Sequence, residues 1–577
     1  MSQARPLRRP LLSLFASLLC SVCAFAQSPV DPGKLPGDTL LYLAWHGYPA
    51  ADVRKNNSLL ALWDDPEFVS ARASFLDSVM NDSAKQKNKP AMSREDFEKY
   101  ITLLDNAFVV GYIRQPQSRA AAKAGAAKTT PPPDWKGAFF IYDRTGKEAL
   151  LSKAVLQMRG ADTDIPKVSE LTVAGVPSLK IERKSGIAYW AESGKYAVSA
   201  NELPVFEEIL NLANGKPGSA VLSQSAAYQE AKPLLTGGVI EFFLAVPNAD
   251  QIAMSSPESG TAQIRLLLSS LKLDALHSVA GRVSFEGARS RLTGAILGDT
   301  APGSLFDIWA DGQTNPASLG YLSPDTVYYG ETQFNLLGIY KTLKTAFTQP
   351  GNSTSPMEKM AETRLGMPLP DALALITGEV AWVQNSPTLD DNQKVYLLGI
   401  KDKSTSLKLT RTLMGERISS ERNEGDATYL KVSLSGSQTS AGVAQFNFYY
   451  LAMIPNLLFG SKKSDTLHKY VTMAPAAPDP AQFKNLLSAR AQFPEKLNGF
   501  SYFDFQKVDW PGLRAKWIAD AKKAALNAKS TEAANQSKKL SDWLDQVNPE
   551  AFPRHLHSMT GASWKDAKGV HFDEWLD

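Results

Sequence analysis

A chain whose second half restates its first, segment by segment and in the same order, is constrained to pack two alike units. Leu35-Pro36-Gly37-Asp38-Thr39-Leu40-Leu41-Tyr42 returns as Leu322-Ser323-Pro324-Asp325-Thr326-Val327-Tyr328-Tyr329, with Leu, Asp, Thr and Tyr in identical relative positions. Ile141-Tyr142-Asp143-Arg144-Thr145 matches Ile400-Lys401-Asp402-Lys403-Ser404, and Leu235-Thr236-Gly237 matches Leu497-Asn498-Gly499. Leu276-His277-Ser278-Val279-Ala280-Gly281 matches Leu556-His557-Ser558-Met559-Thr560-Gly561, and Phe306-Asp307-Ile308-Trp309 matches Phe572-Asp573-Glu574-Trp575. Collinear matches argue for an internal duplication. They predict two tandem lobes, residues 31–312 and 318–577, joined near the turn-rich Asp311-Gly312-Gln313-Thr314-Asn315-Pro316.

Each lobe opens on a strand, Thr39 to Trp45 and Thr326 to Thr332. Leu59, Leu60, Leu62, Trp63, Phe68, Phe75, Leu76 and Val79 then recur at helical spacing, with Pro66 at a first helical turn. Period-two segments predict hairpins at Ala188 to Ser199, around Ser193-Gly194, and at Val283 to Thr293, around Gly287. Helices are expected at Glu202 to Leu212 and Thr261 to Leu271, and one or two amphipathic helices over Lys516 to Leu544. Phe446 to Phe459, interrupted by Asn447, Pro455 and Asn456, reads as a buried strand running into a helix. The expected fold class is α+β, two internally duplicated lobes with antiparallel or mixed sheets and packed helices, in preference to a doubly wound parallel sheet. Gln115 to Asp134, rich in Ala, Lys, Gln and Pro, is expected to be an exposed, poorly ordered loop.

The first 26 residues read as a signal peptide: Arg5, Arg8 and Arg9, an apolar Leu11 to Phe25, then Ala24-Phe25-Ala26 at a cleavage site. Export to the periplasm or the cell exterior follows, by the general secretory or the twin-arginine route. Both cysteines, Cys20 and Cys23, fall inside that leader, so a processed chain has no thiol and no disulfide. Removing the three leader arginines brings the formal charge of +3 to about neutral, which excludes electrostatic capture of nucleic acid. No segment after the leader has the length of a membrane span.

The opening Leu35-Pro36-x-Asp38-Thr39 segment, Asn57-Ser58-Leu59-Leu60-Ala61-Leu62-Trp63-Asp64-Asp65-Pro66-Glu67-Phe68 and Leu375-Ile376-Thr377-Gly378-Glu379-Val380-Ala381 resemble a group of secreted bacterial proteins classed as a domain of unknown function. That resemblance implies no activity, cofactor or active-site residue.

Motifs for established chemistries are missing. Gly146-Lys147-Glu148 and Gly215-Lys216-Pro217 lack the pattern of a phosphate loop, and neither a Gly-x-Ser-x-Gly elbow nor a Ser-x-x-Lys with Lys-Thr-Gly set occurs. Among six histidines, His555, His557 and His571 are the one group that invites a metal reading. A turn at Lys565 to Gly569 would set His571 opposite about Ser563, too far from His557 to share an ion. Asp38 and Asp325 would serve acid/base chemistry as a pair across a pseudo-twofold axis, but an Asp-Thr turn at a strand entrance is the commoner use. His277 and His557 read as strand starts, Gly281 and Gly561 as a bulge or close packing, and Trp309 and Trp575 as packing anchors.

No catalytic, cofactor-binding or metal residue is assigned and no cofactor is expected. The leading expectation is a non-catalytic exported protein that binds an envelope ligand or protein. The alternatives are a hydrolase with carboxylates at an interlobe groove, and a lipid or lipoprotein carrier.

Overall fold

A computed structural model describes residues 30–74, 99–113, 137–152, 167–183, 186–216, 220–246, 273–302, 304–347, 356–438, 444–473, 483–528 and 530–577. The leader with both cysteines, the expected loop 115–134 and the expected helix 261–271 lie outside them.

The alternating segments pair into one sheet of twenty strands, antiparallel throughout the described residues. Numbered along the chain, they run across the sheet as β4 (Lys167–Val173), β5 (Val176–Arg183), β6 (Gly186–Ser193), β7 (Tyr196–Ala200), β3 (Ala138–Asp143), β2 (Phe108–Ile113), β1 (Thr39–Trp45), β8 (Ile240–Ala245), β9 (Leu276–Glu286) and β10 (Arg289–Gly298). Beyond β10 come β20 (Gly569–Leu576), β19 (Ser558–Asp566), β18 (Gly499–Asp504), β11 (Tyr328–Gln333), β12 (Ile376–Gln384), β13 (Lys394–Ile400), β17 (Leu457–Ser461), β16 (Ala444–Met453), β15 (Ala427–Gln438) and β14 (Ile418–Glu424). Read inward from either outer edge, the strand order is the same, with every number raised by ten in the second half.

The expected hairpins form at two-residue turns whose first residue needs the left-handed region: Gly194 has φ +56° and Gly287 φ +63°. The expected helix at 202–212 is Leu203–Ala213, and Lys516 to Leu544 lies in two helices, Trp510–Leu526 and Thr531–Leu544. Pro66 opens a helix over 66–74. Two expectations are corrected. Phe446 to Phe459 forms a strand pair, β16 and β17, because Pro455 and Asn456 turn the chain before a helix can start. Phe306 to Ile308 is a turn of 3-10 helix whereas Phe572 to Trp575 lies within β20, so that matched segment is similar in sequence and different in conformation.

One face of the sheet is covered by helices. In the first half Tyr42, Val109, Ile141, Val198 and Phe243 pack against Val205, Phe206, Ile209, Tyr228 and Leu235 from the helices Leu203–Ala213 and Ala226–Leu235. In the second half Tyr329, Val383, Leu397, Phe459 and Phe500 meet Leu467 and Tyr470 of Ser464–Thr472 and Leu486 and Ala489 of Lys484–Arg490.

The halves meet along β10 and β20. Arg291 grips Asp573 with two bonds, Nε to Oδ1 at 2.9 Å and Nη2 to Oδ2 at 2.5 Å, and Arg289 Nε reaches Asp577 Oδ1 at 2.6 Å. A further apolar cluster crosses the seam, with Leu59, Leu62, Trp63 and Phe68 from the first half and Trp510, Leu513, Trp543 and Phe552 from the second. Residues 31–312 and 318–577 therefore share a sheet and part of a core. Among the described residues no helix is long and apolar enough to cross a membrane.

Candidate functional site

Strand residues alternate between faces, so the opposite face of the sheet is read from register. Around β1 it carries Leu41 and Leu43, with Val110 facing Leu43 from β2 and Leu244 facing Leu41 from β8. These four are 37–42% exposed and contiguous, where a buried sheet face would leave them covered. Half-buried Phe140, Phe242, Val279 and Ile296 extend the surface through neighbouring strands.

Glycines flatten this open face. Phe242 lies across Gly281 so closely that a Cβ there would stand 2.5 Å from Phe242 Cζ, and Phe572 covers Gly294 and Trp382 covers Gly330 in the same way. A ring lying flat on a glycine exposes its broad side, which is what an apolar ligand can rest on. Short helices form a lip along one margin: Trp45 Nε1 and Tyr142 Oη donate to the carbonyls of Leu104 and Leu103 in the 3-10 turn Thr102–Asp105. Near the seam the cross-half cluster covers Leu576, Met559 and Phe503 at the same margin.

A carboxylate stands on the open face near the seam, one row in from that lip, while Glu192 and Glu170 of the same face belong to the outer strands. Glu574 of β20 faces Leu292 of β10 and Gly561 of β19, with Phe572 and Leu576 two residues to either side. It is exposed, and among the described residues it has no hydrogen bond or ion pair. Surrounding protein nevertheless desolvates the carboxyl and raises its pKa. Farther along, Lys394 Nζ lies 5.1 Å from the Tyr396 ring centroid and 5.8 Å from that of Trp382, with burial lowering its pKa.

The helix-covered face holds a different kind of carboxylate site. Tyr42 Oη donates to Glu241 Oε2 at 3.0 Å in the first half, and Tyr329 Oη to Glu331 Oε2 at 2.5 Å in the second. Glu331 also takes Arg490 Nη1 at 2.5 Å, and Glu379 accepts the backbone amides of Ala317 and Ser318 at 3.2 and 2.8 Å. Burial raises the Glu331 carboxyl, while Arg490 and Tyr329 oppose the shift. Glu331 and Glu379 are 5% and 4% exposed, and their oxygens are engaged by protein donors. Such a network fixes the core and offers no free oxygen to a substrate.

The residues singled out in the sequence are dispersed. Asp38 and Asp325 are exposed at the entrances of β1 and β11, seven strand spacings or roughly 34 Å apart across the sheet. The turns are closed by the following threonines: Thr39 Oγ1 donates to Pro36 O at 2.6 Å, and Thr326 Oγ1 accepts from Ser323 N at 3.0 Å. His555 Nε2 lies 2.7 Å from Asp65 Oδ2, and His571 stacks on Trp564. Burial alone would raise the Asp65 carboxyl, but the bonds from His555 and the Glu67 amide, with the Arg554 charge, hold it below the usual range. His571 pairs with Trp564, one residue from the expected Ser563, because the turn contains only Ala567 and Lys568. Among the described residues no group of metal-ligating side chains forms. His277 and His557 stand at or beside the starts of β9 and β19, Gly281 and Gly561 serve close packing, and Trp575 stacks on Phe493 at 4.5 Å. Trp309 packs on Phe306 at 6.0 Å.

Sequence reading passed over Glu574 although it lies inside a matched segment. The signal for it is a pair of adjacent acids, Asp573 and Glu574, inside a strand, since alternation sends one of the two to the face away from the helices. Fold and face together define a mixed α+β protein built on a single large antiparallel sheet, with one face closed by helices and the other partly open. Comparison with protein-family models, curated proteins and solved structures finds no match.

Proposed function

We propose that this chain is an exported binding protein of the cell envelope that carries an apolar ligand on the open face of a duplicated sheet. The reading joins the non-catalytic binding expectation to the carrier alternative. The contiguous exposed patch Leu41, Leu43, Val110 and Leu244 carries it, since a sheet face left uncovered loses the stabilisation of burial unless something else occupies it. The common strand order on either side of the seam supports duplication, and the leader at 1–26 supports export to the periplasm or exterior.

A hydrolase with paired acids is the lesser reading. Glu331 and Glu379 do converge, and Glu331 is perturbed, but Arg490, Tyr329 and two backbone amides occupy them. At the seam Asp573 and Asp577 are likewise held by arginines.

The test is equilibrium binding of the neutral fluorophore phenylnaphthylamine to the full chain. Saturable binding that weakens severalfold in Leu43→Gln/Leu244→Gln, with circular dichroism unchanged, is expected. Binding that ignores those substitutions would remove the open face from the function.

A further inference from the structure

We propose that the open face selects an amphiphile with a protonated amine head, Glu574 holding the amine while the alkyl tail crosses the strands toward Leu43 of β1. The assignment rests on the apolar-ligand reading above and specifies the polar end of that ligand.

Glu574 is a negative charge with no described counter-ion on its own face. Arg289 and Arg291 are spoken for by Asp577 and Asp573, and Asp573 alternates with Glu574 along β20 and so points to the helix-covered side. Lys565, which shares the open face, bonds Trp309 O and Asp311 Oδ1, both at 3.1 Å. An occupant that covered Glu574 without a cation would strand a carboxylate in an apolar contact, at high cost. An anionic head would add repulsion. An ammonium group satisfies the acid with charge-assisted hydrogen bonds, so charge complementarity selects the head.

The neighbours select the direction of the tail. Toward the first half the open face presents Leu292, Val283, Phe242 and then Leu43, with glycines between. Toward the second half the same row runs through Gly561, Ser501 and Gly330, with Ser563 and Thr332 beside it, and offers no apolar side chain before Trp382 on β12, whereas the first half offers one on every strand. From β20 to β1 is four strand spacings, roughly 19 Å, a length that a long alkyl chain can span.

Displacement of bound phenylnaphthylamine by dodecylamine, dodecanol and dodecanoate at neutral pH tests the assignment. Dodecylamine should bind about tenfold more tightly than dodecanoate, the worth of one charge-assisted hydrogen bond in a partly exposed site. In Glu574→Gln that ratio should fall toward unity while dodecanol affinity stays unchanged. Preference for dodecanoate, or a ratio that survives Glu574→Gln, overturns the amine assignment. Equal displacement by all three in the unsubstituted protein also overturns it, yet leaves apolar binding standing. Absence of fluorophore binding removes both readings. The site is exposed, so Glu574→Gln should fold normally, and its thermal melt checks this.

Discussion

Replacing Arg490 by Ala isolates the best-defined ionic interaction of the helix-covered face. The side chains of Arg490 and Glu331 are 11% and 3% exposed, Arg490 also donates to Thr314 O at 3.2 Å, and its guanidinium lies 5.2 Å from the Phe500 ring centroid. Removing one partner leaves Glu331 buried against Tyr329 without its cation, a change that costs about 3–5 kcal/mol. If the chain unfolds as one body, an unfolding entropy of about 2.1 cal/mol/K per residue spreads that loss into a fall of roughly 3–4 °C. If the second half melts alone, the same loss lowers its transition about twice as far. The shared sheet and cross-seam cluster require the smaller shift in a single transition. The sign with pH follows from Glu331, whose carboxyl is already raised by burial and rises further without Arg490. A raised folded-state value means stability present in acid and lost as pH climbs through it, so the variant's deficit should grow toward neutral pH and shrink below the unfolded carboxyl value. Urea unfolding and calorimetry at acid and neutral pH measure this. A deficit below about 1 kcal/mol, the size typical of surface pairs, would refute the claim that the pair is buried and coupled.

Glu574→Gln should raise the melting temperature at neutral pH and leave it unchanged in acid, because burial raises the folded-state carboxyl and charging it costs stability only above the unfolded value. A pH series of thermal melts decides the sign. Asp573→Ala removes both bonds to Arg291 across the seam and should cost about 2 kcal/mol while keeping one cooperative transition; two resolved calorimetric peaks would show that the halves unfold separately. Gly330→Ala drives a methyl into the Trp382 ring and should cost about 1–3 kcal/mol with a change in tryptophan fluorescence. Mass spectrometry of protein secreted or retained by the producing cell should find an N-terminus at Gln27, and a retained Met1 would defeat the export assignment.

Local features of the fold are legible because their causes are local. Ser193-Gly194 and Gly287 announce hairpins through the backbone conformation that glycine tolerates, and β6, β7, β9 and β10 lie where alternation places them. Within the two helices over Lys516 to Leu544, Trp543 is buried and donates to Ala71 O, whereas Leu526 projects into solvent at 88% exposure because its helix ends there. Pairing of β10 with β20 leaves no local trace, since residues nearly three hundred apart in sequence supply the two strands. Leu40 to Trp45 is apolar on both faces and reads as fully buried, so the exposure of Leu41 and Leu43 emerges only once the helices are placed on one side. Equality of the five matched segments was the overreach: Phe306 and Phe572 share neighbours in sequence and have different backbones.

The proposed duplication explains why the acid stands where it does. Gly281 pairs with Gly294, and Gly561, which matches Gly281, pairs with Glu574, so Glu574 holds in the second half the place that Gly294 holds in the first. Thr293 and Asp573 face each other across the seam, which puts positions 294 and 574 on either side of a pseudo-twofold axis. Diagonal neighbours in an antiparallel pair lie roughly 7–8 Å apart, so a carboxylate at both positions would set two like charges close together on a partly desolvated face. A symmetric pair of acids is therefore disfavoured where a single one is tolerated. The first half answers with glycine, and the Phe572 ring lies over it. Breaking the symmetry at this one point places a charge on one side of the axis and none at its counterpart. A symmetric sheet thus acquires a direction, and a ligand with a head and a tail has one way to lie on it.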